Sequence, residues 1–120
     1  MTWLQAITKG GYTWRGQMRY LVGRVPDPSA CHGCEASSET VERALDIICE
    51  SFAIPPAQRY CLRPADNLLA IYESITWLAD DMEFERLFIS LEDERGRPIT
   101  LQEHKEIVTV ADVIKFVGGN

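Results

Sequence analysis

No run of apolar residues in this chain approaches the ~18 that a membrane-spanning helix needs. The first residues also lack the unbroken apolar stretch of a secretory leader, because Thr8, Lys9, Gly10 and Gly11 interrupt it. A cytoplasmic location with no transmembrane segment is the expectation. Basic charge is scarce too: 12 Lys and Arg stand against 18 Asp and Glu, for a net charge of −6. Such a body repels nucleic-acid phosphates, so no nucleic acid is expected as a partner, whereas a protein with a basic docking surface is. No histidine, lysine or serine motif joins the adjacent carboxylates Asp80 and Asp81, and the two side chains diverge, so an acid–base enzyme is not expected. Internal repeats and low-complexity tracts are missing as well.

What is present suits one globular core. The apolar share is 46% in 120 residues, an ordinary value for a single domain. The charge is unevenly spread: residues 1–27 carry +3 and the remainder −9. Glycine and proline also divide the chain. Gly10, Gly11, Gly16, Gly23, Pro26 and Pro28 punctuate the first part, so residues 1–37 read as a basic, aromatic arm and linker, and residues 38–120 as the helical domain. Met18, Tyr20 and Val22 alternate as a short strand would. Four of the eleven aromatic residues, Trp3, Tyr12, Trp14 and Tyr20, lie in the first 20 positions. That concentration argues for packing on the body or for self-association through a second copy.

The body begins at a serine cap. Ser37 or Ser38 precedes Glu39 and Glu42, which suit the positive end of a helix dipole, and Val41, Ala44, Leu45, Ile48 and Phe52 form one apolar stripe. Pro55 and Pro56 stop it. After a long loop, Asp66 is the expected cap of a short segment, Leu68 to Ile75. Asp80 or Asp81 caps the next helix, in which Phe84, Leu87, Phe88 and Leu91 recur at helical spacing and which Gly96 ends. A loop with Pro98, Ile99 and Leu101 follows, containing His104 as a surface residue without a partner. Thr109 and Asp112 then form a capping box for a last helix, with Val110, Val113, Ile114 and Val117 as its stripe and Gly118 closing it.

The four cysteines, Cys31, Cys34, Cys49 and Cys61, would be free thiols or metal ligands in a reducing compartment. Cys31-His32-Gly33-Cys34 places two thiols where both could reach one zinc, and a closed site would draw its other ligands from His32, Cys49 or Cys61. A haem attachment would need histidine after the second cysteine, where Glu35 stands. Thioredoxin-type redox chemistry would need a preceding strand.

Leu78-Ala79-Asp80-Asp81-Met82-Glu83-Phe84-Glu85-Arg86-Leu87 resembles the stretch around the Asp-Ser-Leu motif of the acyl carrier protein family. Leu91-Glu92-Asp93-Glu94-Arg95-Gly96 is similar to the Leu-Glu-Glu-Glu-Phe-Gly that ends the same helix there. Ile107-Val108-Thr109-Val110-Ala111-Asp112-Val113-Ile114 resembles that family's Ile-Thr-Thr-Val-Gln-Asp-Ala-Ile. Asp80 to Val117 fits without a gap, and Val41 to Ile54 looks like the family's first helix, so the resemblance covers about two-thirds of the chain. It implies an all-α, acyl-carrier-like bundle of three main helices plus a short one. It also implies a partner-binding acidic helix, here Asp80, Met82, Glu83, Glu85, Glu92 and Asp93. The family's prosthetic-group serine falls on Asp81, and a carboxylate cannot form the phosphodiester to phosphopantetheine. The resemblance therefore implies a non-catalytic carrier-like interaction module with no cofactor expected. The alternatives are a carrier loaded at Ser74 or Ser90, or a small zinc-binding protein using Cys31 and Cys34.

Overall fold

In the computed structural model, which describes residues 16–74 and 82–119, Ser37 opens the first α-helix as expected. Its backbone is extended and its hydroxyl accepts the Thr40 N–H, satisfying a donor at the start of α1 (Ser38–Phe52). The predicted stripe is buried, and Ile47, Cys49 and Ser51 are buried beside it. One stripe would cover one neighbour. α1 has two, because it packs against both α3 (Met82–Arg95) and α5 (Val110–Val117), which also touch each other. α1 ends ahead of the prolines at the C-cap Ala53, whose φ of 55° is left-handed and whose N–H reaches the Cys49 carbonyl.

Pro56–Cys61 form a 3-10 turn that α1 holds electrostatically. The Arg59 guanidinium pairs with Glu42 at 3.2 Å and with Asp46, and the Tyr60 hydroxyl donates to Glu42 at 2.7 Å. The next helix, α2 (Leu68–Glu73), is capped by Asn67, whose side chain accepts the Ala70 N–H. The expected cap, Asp66, is used elsewhere: its carboxylate takes both guanidinium nitrogens of Arg24, at 2.6 and 2.9 Å, and the Arg63 N–H at 2.7 Å. Backbone bonds from Leu68 to Val108 and from Val110 to Asp66, around an antiparallel bridge between Asn67 and Thr109, tie the start of α2 to the start of α5.

α3 buries Leu87 and Leu91, with Phe84 and Phe88 packed partly against the core, and Gly96 at φ 69° closes it. Where a loop was expected, Leu101–Glu106 form a short helix, α4. Thr100 and Glu103 cap it reciprocally, and no residue within it is buried. Ile99 and Ile107, both buried, pin it at either end. His104 lies on this helix, exposed, but with its ring centroid 4.3 Å from that of Phe88. α5 has the predicted Thr109–Asp112 capping box, and Phe116 joins Val110, Val113 and Ile114 in its buried face. Gly118 is its C-cap in a right-handed conformation, and the left-handed residue is Gly119.

The described part of the expected arm and linker runs across this body and joins its core. Met18 and Leu21 are fully buried and Cys31 nearly so. No strand forms there; Arg19–Leu21 make a 3-10 turn, which puts residues three apart on one side, so Met18 and Leu21 face inward and Val22 outward. The Gln58 amide grips the Met18 backbone, accepting its N–H at 2.5 Å and donating to its carbonyl at 3.4 Å. Arg24 reaches the Cys61 carbonyl, Arg63 reaches those of Val25, Tyr60 and Leu62, and the Asp27 N–H donates to Tyr60. Among the described residues the fold is all-helical, with no strand, and no helix is long and apolar enough to cross a membrane.

Among the described residues, Glu103 is a partly exposed carboxylate with a strongly lowered pKa. Arg97 binds both its oxygens at 2.8 Å and the Thr100 N–H adds a third bond, so its pKa falls to about 2. Because the folded value lies below the unfolded one, this contribution to α4 is complete above the usual carboxylate range. It is lost as pH falls from there through about 2. A carboxyl NMR titration is expected to place the Glu103 midpoint near that value. In Arg97→Gln the midpoint should return toward the usual range.

Candidate functional site

Helical spacing sorts α3 into three faces. Leu87 and Leu91 look into the core, and the residue one turn before them, Glu83, continues the same line. Glu83 is therefore only 8% exposed, and its Oε2 has no hydrogen-bond partner among the described residues. Glu92 is half-buried and accepts the Ile99 N–H at 2.8 Å, fixing the chain as it leaves the helix. Glu94 pairs with Arg43 of α1. The outward face consists of Met82, Glu85, Arg86, Ile89 and Asp93. Met82 and Ile89 are 43% and 50% exposed, two apolar side chains standing among charges on a helix whose back is firmly seated.

Of the partner-binding residues expected from the sequence, this face brings together Met82, Glu85 and Asp93. Glu83 and Glu92 do not belong to it, since one is turned inward and the other holds the Ile99 backbone. Asp80 lies outside the described residues, as does Asp81, the position of the family's serine. Ile89 was missed. Its signal is the seven-residue step from Met82, two helical turns, which puts both on one face.

The two serines considered for loading differ. Ser74 caps α2 and donates its hydroxyl to the Ile71 carbonyl at 2.6 Å. Ser90 sits half-buried in the middle of α3.

The cysteine pair sits in a run of consecutive turns that starts at Asp27. Cys31 is buried, with its sulfur 3.8 Å from the Leu62 carbonyl, and Cys34 is half-buried. Burial, then the neighbouring Cys34, pushes the Cys31 thiol up to about 11, and burial pushes Cys49 up to about 12. Cys61 directs its sulfur at the Arg24 carbonyl. Among the described residues, no group of three or more His, Cys, Asp and Glu side chains is arranged to hold a metal ion. The Cys31–Cys34 turn offers two thiols, and a structural zinc takes four ligands.

An open groove lies between residues 33–36 and α5, lined by Cys34, Glu35, Asp112 and Lys115, with charges of both signs. No family model, curated protein or solved structure matches the chain.

Proposed function

We propose that this chain is a non-catalytic module of acyl-carrier-like shape, with Asp81 in place of the prosthetic-group serine. It docks on a protein with a basic surface through the outward face of α3. The observation that carries this reading is that face itself: half-exposed Met82 and Ile89 flanked by Glu85 and Asp93. Apolar anchors surrounded by charge are the usual make-up of a protein contact, in which the anchors supply affinity and the charges speed encounter and set partner choice. The order of elements is consistent with the carrier-like shape. A long α1, the short α2, the acidic α3 and a capped α5 follow one another in the order that the resemblance describes, and α4 is a second short helix beyond it. Of the acidic residues that the resemblance marks for docking, Glu85 and Asp93 remain available to a partner, while Glu83 and Glu92 serve the fold.

Two measurements test the reading. Intact mass after coexpression with a pantetheinyl transferase should equal that of the bare chain. An adduct on Ser74 or Ser90 would restore a loaded carrier and overturn the loss of function at Asp81. Docking is tested by Ile89→Glu with Glu85→Lys and Asp93→Lys. This triple variant should keep the wild-type circular dichroism and melting temperature yet lose capture of a partner that wild type retains at low salt. Capture unchanged by the triple variant would exclude α3 as the docking face.

A further inference from the structure

The turn at residues 31–34 brings together two sulfurs that neither the core nor the proposed docking face requires as a pair. The Cys34 N–H donates to the Cys31 carbonyl at 3.3 Å. A turn closed in this way holds its first and fourth Cα atoms within about 7 Å, while a disulfide joins Cα atoms about 4.4–6.8 Å apart. Cys34 is near enough to add to the upward push that burial gives the Cys31 thiol. Gly33, between them, has open space where a side chain would stand, so the turn can adjust without meeting a neighbour. All four thiols are free in this structure. Cys49 lies in the last turn of α1, which carries no second cysteine.

We infer that Cys31 and Cys34 are an oxidisable dithiol, which a small-molecule disulfide such as oxidised glutathione converts reversibly into an intraturn disulfide. Cys34, the less buried of the two, reacts first. Its thiol loses a proton and attacks one sulfur of the reagent, releasing one reagent thiolate and leaving a mixed disulfide on Cys34. Cys31 then loses its proton and attacks the Cys34 sulfur, expelling the second reagent thiolate. Two cysteine thiols are oxidised to one disulfide, and one reagent disulfide is reduced to two thiols. Closure draws the Cys31 sulfur away from the Leu62 carbonyl, and so acts on the seam between this turn and residues 60–66.

Trypsin makes the test direct, because cleavage after Arg24 and Arg43 leaves Cys31 and Cys34 on one peptide that contains neither Cys49 nor Cys61. The folded full-length chain is equilibrated in glutathione buffers of increasing oxidised fraction, acid-quenched, unfolded, alkylated and digested. The expected result is a peptide lighter by two hydrogens and unalkylated at both cysteines, with full recovery of alkylation after dithiothreitol. In Cys34→Ser that protection should be lost completely, and in Cys49→Ser it should remain. Both cysteines alkylated at every ratio would overturn the inference. So would a glutathione adduct that persists on Cys34, or a cross-link from Cys31 to the peptide carrying Cys61.

Discussion

Phe52→Ala is expected to lower stability by about 4 kcal/mol, the cost of deleting a large, fully buried ring from a core that cannot close the space. Phe52 is completely shielded from solvent at the last turn of α1, and its ring meets Phe84 of α3 edge-on at 5.4 Å. Phe84 in turn contacts Tyr72 of α2 at 5.2 Å and Phe88 at 6.2 Å, so the deleted ring supports three helices at once. With total stabilities of about 5–15 kcal/mol for domains in general, such a loss leaves the variant partly unfolded or close to it. Urea denaturation followed by far-UV circular dichroism should show a lower midpoint with an unchanged slope. Ile89→Ala provides the contrast: half-exposed on the outward face of α3, it should change stability by no more than about 0.5 kcal/mol. A cost for Ile89 comparable with that for Phe52 would mean that the outward face is a packing surface, and would remove the basis for docking there.

The second large effect is expected at the ion pair between the N-terminal segment and the loop before α2. Asp66→Ala should destabilise by about 3 kcal/mol, because it leaves the Arg24 guanidinium mostly enclosed without its counter-charge and strips the Arg63 N–H of its acceptor. The Arg24 side chain is 27% exposed and that of Asp66 only 7%, so water cannot easily replace the lost partner. Bonding to the Asp66 carboxylate raises the Arg24 pKa further, in the direction such a pair requires. The loss should appear as a lower urea midpoint together with faster tryptic cleavage after Arg19 and Arg24. Removing both charges in Arg24→Met with Asp66→Leu is expected to recover much of the stability, since an apolar pair of similar volume needs no compensating charge. If the double variant is as weak as Asp66→Ala, the geometry of the carboxylate with the Arg63 backbone, and not its charge, holds the seam.

Helix starts whose signals are local were legible in the sequence. Ser37 before α1 and Thr109 with Asp112 before α5 do in the structure what their residue types allow. Thr100 and Glu103 have the same capping spacing, yet the segment reads as a loop because it has no apolar stripe to announce a helix, and its one large apolar residue, Leu101, is 73% exposed in the structure. Asp66 shows the opposite failure. Any aspartate just before an apolar run looks like a cap, and only a partner 42 residues away, Arg24, diverts it while Asn67 takes its place. Met18, Tyr20 and Val22 alternate in type, but the backbone turns with a three-residue period, which no local pattern of three residues can distinguish. On α3, charge was read as exposure, although Glu83 lies exactly one turn before Leu87 and two before Leu91, so its position pointed inward while its chemistry pointed outward. The family likeness rests on sequence motifs, and its central position, Asp81, falls outside the described residues.

A fragment cut where composition suggests, at Ser38, would begin at a sound helix cap and still lack part of its interior. Gln58 holds residue 18 by its main chain while the Met18 side chain is fully buried, so the cut removes both a backbone partner and a core side chain. Removing the segment would open the hollow filled by Met18, Leu21 and Cys31 and strand the Asp66 carboxylate beside it. The shortest stretch able to fold by itself therefore reaches back at least to residue 18, and expression boundaries chosen from the helices alone would yield a body with its side open.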